Sequence, residues 1–376
     1  MAQEAPNLAV STPPAAEITV QGALEEGVEF LVSHQNEDGS FGTYTSGRTW
    51  EILADVPGSL HAFKAATTAL CWLALADLEH ATPRSEEAAR RALAWLVDNV
   101  RVKRPNGVEM YNVWSHGYGL RALAQALRTE APGADEQDIR AAAESLIEAL
   151  AIYQVPDGGW GYYDFNAKTY RPSGTSMSFT TATILIALHE AREAGLDVPE
   201  AMVEHAVKSV RICRKADGSY IYGWYLRYRP LMDVNQPKGS SMRSPGCNLA
   251  LRLFGADISD DDLRTGLEHI IGLRRFAVAG VRRPIPHESW YQVSGYFYLY
   301  GHQYAALCLE HLSAEDQRRF WPPLAEAILK ARQPDGSFWD YPLYGFHKFY
   351  GTAYALMALS RCPPEIASSI AAPPPE

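Results

Sequence analysis

The stretch "QPDGSFWD" at residues 333–340 echoes "QNEDGSFG" at 35–42 and "QVPDGGWG" at 154–161, and a looser copy, "RKADGSY", runs from 214 to 220. Asp-Gly dipeptides stand at 38–39, 157–158, 217–218 and 335–336, leaving gaps of 119, 60 and 118 residues. A unit of 60 residues accounts for all three gaps as two, one and two repeats. It predicts degenerate copies near 98 and 276, where the chain offers "RPNG" at 104–107 and "RRFAVAG" at 274–280. Asp-Gly-Ser is turn chemistry: Asp38, Asp157 and Asp335 can accept from backbone amides, and Gly39, Gly158 and Gly336 can supply positive φ. Phe41, Trp160, Tyr220 or Phe338 would stack on the turn, and Gln35, Gln154 and Gln333 would cap the following helix. Acids repeated at such intervals cannot all meet at one active centre, so they are read as structural.

Between these marks the chain reads as helices of two kinds. "SEEAARRALAWLVDNV" with Ser85 as cap, "EQDIRAAAESLIEALAIYQ", and "SDDDLRTGLEHIIGL" with Ser259 as cap are amphipathic, as surface helices are. Alternating with them are "HAFKAATTALCWLALADL", "WSHGYGLRALAQAL", "SFTTATILIALHEA", "PGCNLALRLFG", "YLYGHQYAALCLEHL" and "FYGTAYALMALSRC", which are apolar or small on nearly every side. A helix of that kind is buried all round. Six buried helices alternating with six amphipathic ones predict an all-α fold, a closed (α/α)6 toroid with an inner barrel inside an outer one. An open solenoid would leave its inner helices one solvent-facing side, which these lack. The predicted organisation is a flexible segment over 1–20, one toroid domain over 21–365, and a Pro-rich tail over 366–376.

Composition narrows the partners. Apolar residues make up 47% and charged residues 21% of the 376, and no apolar run reaches the ~18 residues of a membrane span. A net charge of -10 offers no electrostatic footprint for nucleic acid and no pull toward anionic membrane. Five scattered cysteines, none in a C-x-x-C pair, suggest neither a disulfide framework nor a zinc ribbon, and Cys71, Cys308 and Cys362 fall in apolar runs as core residues. The opening "MAQEAPNLAVSTPPAAE" has neither the basic nor the apolar region of a signal peptide. The expectation is cytoplasmic if Met1 is the native start, and periplasmic or secreted if an upstream leader has been removed.

"GVEFLVSHQNEDGSFG", "SLIEALAIYQVPDGGWG" and "AEAILKARQPDGSFW" resemble the aromatic, Gln and Asp-Gly-x-aromatic repeats of squalene–hopene cyclases and their relatives, the terpenoid cyclase and protein prenyltransferase superfamily of (α/α)6 toroids. The resemblance runs over 21–365 and implies the same fold, with repeats that clamp an outer helix to the next inner one. Its chemistries fit less well. Class II terpene cyclases protonate an alkene with a D-x-D-D aspartate, and no D-x-D-D exists here; "SDDD" at 259–262 has the wrong spacing and sits at a helix start. Protein prenyltransferases hold zinc with Asp-x-Cys and a distant His, where this chain has Asp335-Gly336-Ser337 and Gly351. Complement-type thioester domains carry Cys-Gly-Glu-Gln; Cys247 in "SPGCNLAL" stands at such a helix start without the rest of the motif. Lanthipeptide cyclases carry a Cys-His-Gly zinc motif, and "WSHG" has Ser115 in place of the cysteine. No metal set and no cofactor are predicted.

The remaining candidates lie where inner helices begin, the ends that line the pocket of a closed barrel. Candidate catalytic residues are Asp164, His116, Glu288, His302 and Tyr300; candidate ligand contacts are Trp114, Tyr118, Arg171, Arg243, Trp290, Tyr291, Tyr298 and Tyr350. Helical spacing puts Tyr298 and His302 on one face, Tyr300 and Tyr304 on one face, and Trp114 and Tyr118 on one face. Asp340, one step past the Phe338–Trp339 pair, remains a candidate cavity acid. Three readings stand. Aromatic walls with a single acid suit acid-triggered cyclisation of an isoprenoid, as the resemblance implies. Tyr and His as base and acid, with Arg171 or Arg243 neutralising a carboxylate, suit a carbohydrate lyase or hydrolase acting on an oligosaccharide. A non-catalytic toroid would bind a small molecule by aromatic stacking.

Overall fold

The computed structural model describes residues 18–43, 57–102, 112–161, 174–281, 295–341 and 345–372. In chain order the helices are α1 (Val20–Ser33), α2 (Pro57–Ala76), α3 (Pro83–Asn99), α4 (Asn112–Thr129), α5 (Glu136–Tyr153), α6 (Ser178–Glu193), α7 (Glu200–Cys213), α8 (Pro237–Ser240), α9 (Ser244–Leu253), α10 (Asp260–Val281), α11 (Tyr298–Leu309), α12 (Ala314–Leu329), α13 (Gly345–Leu359) and α14 (Pro364–Ala367). Twelve of these are long. They form the expected all-α toroid: α2 packs on α4, α4 on α6, α6 on α9, α9 on α11, α11 on α13, and α13 back on α2, closing an inner ring. Outside it, α3 packs on α2, α5 on α4, α7 on α6, α10 on α9, α12 on α11 and α1 on α13.

Burial separates the two rings as their sequences require. Every residue of α11 is buried, whereas α3 buries only a stripe of Ser85, Ala88, Ala92, Leu93, Trp95 and Leu96 at helical spacing. The start of α3 differs from expectation by three residues. Thr82 is the cap, its hydroxyl accepting from Ser85 N at 3.2 Å, while the Ser85 hydroxyl accepts from Thr82 N at 2.8 Å. Ser85 is therefore the return half of a capping box, made favourable by Pro83 at the first helical position. Ser259 caps α10 as expected, its hydroxyl accepting from Asp262 N at 3.2 Å. At the chain ends, Ile18–Thr19 pairs antiparallel with Ala371–Ala372.

The turns act as clamps through a partner that the Asp-Gly motif does not show. After α1, Asp38 accepts Ser40 N at 3.0 Å and pairs with Lys64 of α2 at 3.0 Å; one turn on, the Thr68 hydroxyl accepts Phe41 N at 2.9 Å. After α12, Asp335 accepts Ser337 N at 3.1 Å and pairs with Lys348 of α13, and Thr352 accepts Phe338 N at 2.9 Å. Trp160 N donates to Thr181 at 3.0 Å and Tyr220 N to Ser240 at 2.9 Å. A hydroxyl on or beside the inner ring thus receives the aromatic residue's amide in all four copies. The glutamines do not cap the next helix. Gln35 bridges Gly39 O and Ala88 O, and Gln154 bridges Gly158 O and Met202 O, so each ties its turn to a carbonyl of the next outer helix. Gln333 turns instead to Ala331 O, and Arg332 reaches Glu26 of α1 to close the outer ring.

Glycine is required where the turn meets that outer helix. Gly158 has φ 96, and a Cβ there would lie 2.5 Å from His205 O of α7. Of the expected degenerate copies, "RRFAVAG" lies inside α10 rather than in a turn, its sequence having no Asp or Ser to compete with helix, and "RPNG" at 104–107 lies outside the described residues. Gly158→Ala should therefore cost about 2 kcal/mol or more, strain and overpacking combined. Gly255→Ala, with φ 67 but nothing within 4 Å of its Cβ, should cost the smaller ~1–2 kcal/mol of strain alone. Urea midpoints measure both; equal losses would contradict the packing role.

Candidate functional site

Contacts between inner helices that are not ring neighbours must cross the barrel interior, and aromatic side chains make them. The Tyr300 hydroxyl on α11 meets Thr183 Oγ1 on α6 at 3.0 Å, past the intervening α9. The Tyr118 hydroxyl on α4 bonds that of Tyr354 on α13, past α2. Tyr300 and Tyr354 meet edge to face at 6.2 Å, and Tyr304 lies 4.6 Å from Tyr300 between ring centroids. These four buried tyrosines span the axis as a floor. One turn nearer the helix starts, Trp114 stacks over Tyr118 at 6.0 Å, Phe179 stands four residues before Thr183 and packs on Phe297 at 5.0 Å, and Tyr350 packs on Tyr354 at 5.9 Å. Trp114, Tyr350 and Tyr296 are only half-buried. The result is an aromatic cup at the end where inner helices begin.

Burial holds the phenols of Tyr118, Tyr300 and Tyr354 well above their ordinary pKa, so they are neutral hydroxyls and not bases. Beyond the floor, Arg121 of α4 pairs with Glu190 of α6 at 2.8 Å, a buried pair in which each charge is compensated by the other.

The predicted residues separate into three groups. Trp114, Tyr118, Tyr300 and Tyr350 converge on the cup. Asp164, Arg171, Glu288, Trp290 and Tyr291 lie outside the described residues. His116, His302 and Tyr298 are occupied elsewhere, whereas Arg243 joins the first group from behind, its guanidinium over the rings of Phe179 at 5.8 Å, Tyr222 at 4.8 Å and Phe297 at 5.9 Å. His116 stacks on Tyr153 of the outer helix α5 at 5.5 Å, and Tyr298 donates to Ala327 O of the outer helix α12 at 3.0 Å with His302 against its ring at 4.3 Å. Burial lowers both imidazoles to about 4, leaving them neutral. Arg243, 1% exposed, donates to Val234 O and Gly239 O at 2.6 and 3.0 Å and lies 4.8 Å from the Tyr222 ring, holding the segment before α9.

Residues not picked out from sequence complete the cup: Phe179, Phe297, Thr183 and Tyr222. Phe179 and Thr183 repeat the four-residue spacing of Trp114 and Tyr118, which was the available signal. Asp340 is 0% exposed; its Oδ2 accepts Leu299 N at 2.9 Å, and burial pushes its carboxyl up to about 7. Cys247 is buried and its thiol is pushed up by desolvation, an unreactive setting. Gly351, where a prenyltransferase histidine would stand, has no room for a side chain: a Cβ would lie 2.5 Å from Phe338 O.

Comparison with known proteins agrees with the fold. The chain resembles the type II terpene cyclase MstE from Scytonema, solved as a variant in complex with its substrate geranylgeranyl dihydroxybenzoate, at 15% identity and a TM-score of 0.53, covering 93% of this chain and 97% of that one. It resembles equally the unsaturated glucuronyl hydrolase from Bacillus sp. GL1, at 15% identity and a TM-score of 0.55 over 93% and 98% of the two chains. At such identities the likeness is one of fold alone. A 76-residue segment is 33% identical to alpha-2-macroglobulin of Thermotoga maritima, spanning 20% of this chain but 4% of that protein. The model of the squalene-hopene cyclase C-terminal domain matches residues 8–225, more than half of the sequence. The chain belongs to the squalene-hopene cyclase C-terminal domain family.

Proposed function

We propose that this toroid takes an apolar, isoprenoid-type small molecule into the aromatic cup and acts on it as a cyclase-like enzyme, with Trp114, Tyr118, Tyr300 and Tyr350 as ligand contacts. The observation that carries this reading is the contrast between what faces the axis and what turns away from it. Trp114, Phe179, Phe297 and Tyr350 present ring faces and edges above a floor of neutral phenols. Such a lining excludes water, contacts an apolar chain over a large area, and stabilises developing positive charge through ring quadrupoles. The histidines His116 and His302, which acid–base chemistry on a charged sugar would need, are packed against outer helices, and Arg243, though over the rings of Phe179, Tyr222 and Phe297, donates hydrogen bonds to Val234 O and Gly239 O.

The test is incubation with a panel of polyprenes, including a geranylgeranyl-substituted aromatic acid, beside an unsaturated glucuronide, with products followed by mass spectrometry. Conversion of a polyprene is expected. Trp114→Ala should weaken its binding about tenfold or more, in keeping with the ~1.5–3 kcal/mol of burying a large apolar side chain. His116→Gln and His302→Gln should leave turnover unchanged. Cleavage of the glucuronide, or loss of activity with either histidine, would overturn the assignment.

A further inference from the structure

Asp340 stands where the repeat places a residue that lines the cup. In the third turn copy, the residue two beyond the clamp Tyr220 is Tyr222, whose ring packs on Phe179 at 5.4 Å. In the fourth copy, the residue two beyond the clamp Phe338 is Asp340. Both sit against the start of the preceding inner helix. Tyr222 O accepts Ser178 N, the first amide of α6, at 3.0 Å, and Asp340 Oδ2 accepts Leu299 N, the second of α11, at 2.9 Å. One oxygen is enough for that bond. The other, Oδ1, is buried and makes no well-formed hydrogen bond, with the Asp340 and Tyr341 amides near the carboxyl.

Among the described residues the groups nearest the carboxyl are aromatic. Tyr298 approaches from α11, Tyr350 and His347 from α13, and Tyr341 from the turn; His347 Nδ1 is engaged with Tyr341 O at 2.8 Å. Among the described residues no Lys or Arg forms an ion pair with Asp340. An unpaired carboxyl costs stability unless it stays protonated.

We propose that Asp340 is the general acid–base of the cup, a role that rests on the apolar-ligand reading above. The Oδ1–H bond breaks as the proton passes to an electron-rich atom of the ligand, and the carboxylate left behind is held by Leu299 N–H at the positive end of α11. A proton returned from the product restores the acid, so no co-reactant is consumed. Burial keeps the group in its acid form up to about pH 7, which places its proton exchange near neutral pH.

Dicyclohexylcarbodiimide tests this without a known substrate, because it adds to protonated carboxyls in apolar sites. Wild-type protein should be labelled at Asp340, by peptide mapping, at pH 6, with the rate falling as pH rises through about 7; geranylgeraniol should slow the labelling. Labelling that geranylgeraniol does not slow would support the exposed acid and overturn the isoprenoid reading instead. Absence of label at Asp340, while surface carboxyls react with a water-soluble carbodiimide, would show a sealed cap and overturn the proposal. Asp340→Asn gives an independent readout. A buried acid whose pKa is raised from 3.8 to about 7 takes up a proton on folding, so wild-type stability falls as pH rises across that window. Asparagine does not ionise, so the variant's melting temperature should exceed wild type at pH 8, with the gap closing toward pH 4. A variant less stable at every pH would show that the carboxylate is needed as a cap and would overturn the proposal.

Discussion

A single hydrogen bond, given by the amide of the aromatic residue that follows each Asp-Gly turn and received by a hydroxyl, sets the geometry on which the rest of the toroid depends. Phe41 to Thr68, Trp160 to Thr181, Tyr220 to Ser240 and Phe338 to Thr352 are four instances of the bond. The aromatic side chain is buried in every case, so the amide would be an unsatisfied donor without its hydroxyl. The same turn leans its glycine on the next outer helix, on backbone for Gly39, Gly158 and Gly336 and on the Thr265 side chain for Gly218. Each turn thereby fastens three elements at once, and with Gly336 against Glu26 the last turn meets the first helix. Closure of the rings follows from that repetition.

Closure decides what the interior can hold. Inner helices that contact two ring neighbours and an outer partner have one direction left, the axis, and here large aromatic residues line it. The Tyr118–Tyr354 and Tyr300–Thr183 bonds divide the interior into an aromatic cup on one side and the Arg121–Glu190 pair on the other. Among the described residues the cup side offers ring faces and neutral phenols, with the Arg243 guanidinium behind Phe179, Tyr222 and Phe297. The clamp acids take no part. Hydrogen bonds from Ser40 and the Lys64 ion pair outweigh desolvation and hold Asp38 at about 2, an ionised structural group.

The repeat was readable because Asp, Gly and an aromatic residue each answer a strict local demand: an acceptor, positive φ, and a large group to bury. The division into inner and outer helices was readable because burial on all sides admits few charges. Its partner hydroxyls were not, since Thr68 and Thr352 look like ordinary small polar residues in an apolar helix; the Lys four residues before each, Lys64 and Lys348, was the missed cue. Direction around the inner helices was hidden for a related reason. A helix buried on every side has no amphipathic phase, so sequence could group Trp114, His116 and Tyr118 but not separate them. Residues two apart on a helix face nearly opposite ways, and the structure sends Trp114 and Tyr118 inward and His116 outward, as it sends Tyr300 inward and His302 outward.

The central claim is that the tyrosine floor closes the axis and leaves an aromatic cup for an apolar ligand. A crystal structure of the protein soaked with a geranylgeranyl compound tests it most directly. The account predicts the chain lying against Trp114 and Tyr350 with its end stopped above the Tyr118–Tyr354 bond; a ligand threaded past that bond to the Arg121–Glu190 pair, or a sugar in the cup in its place, would contradict it.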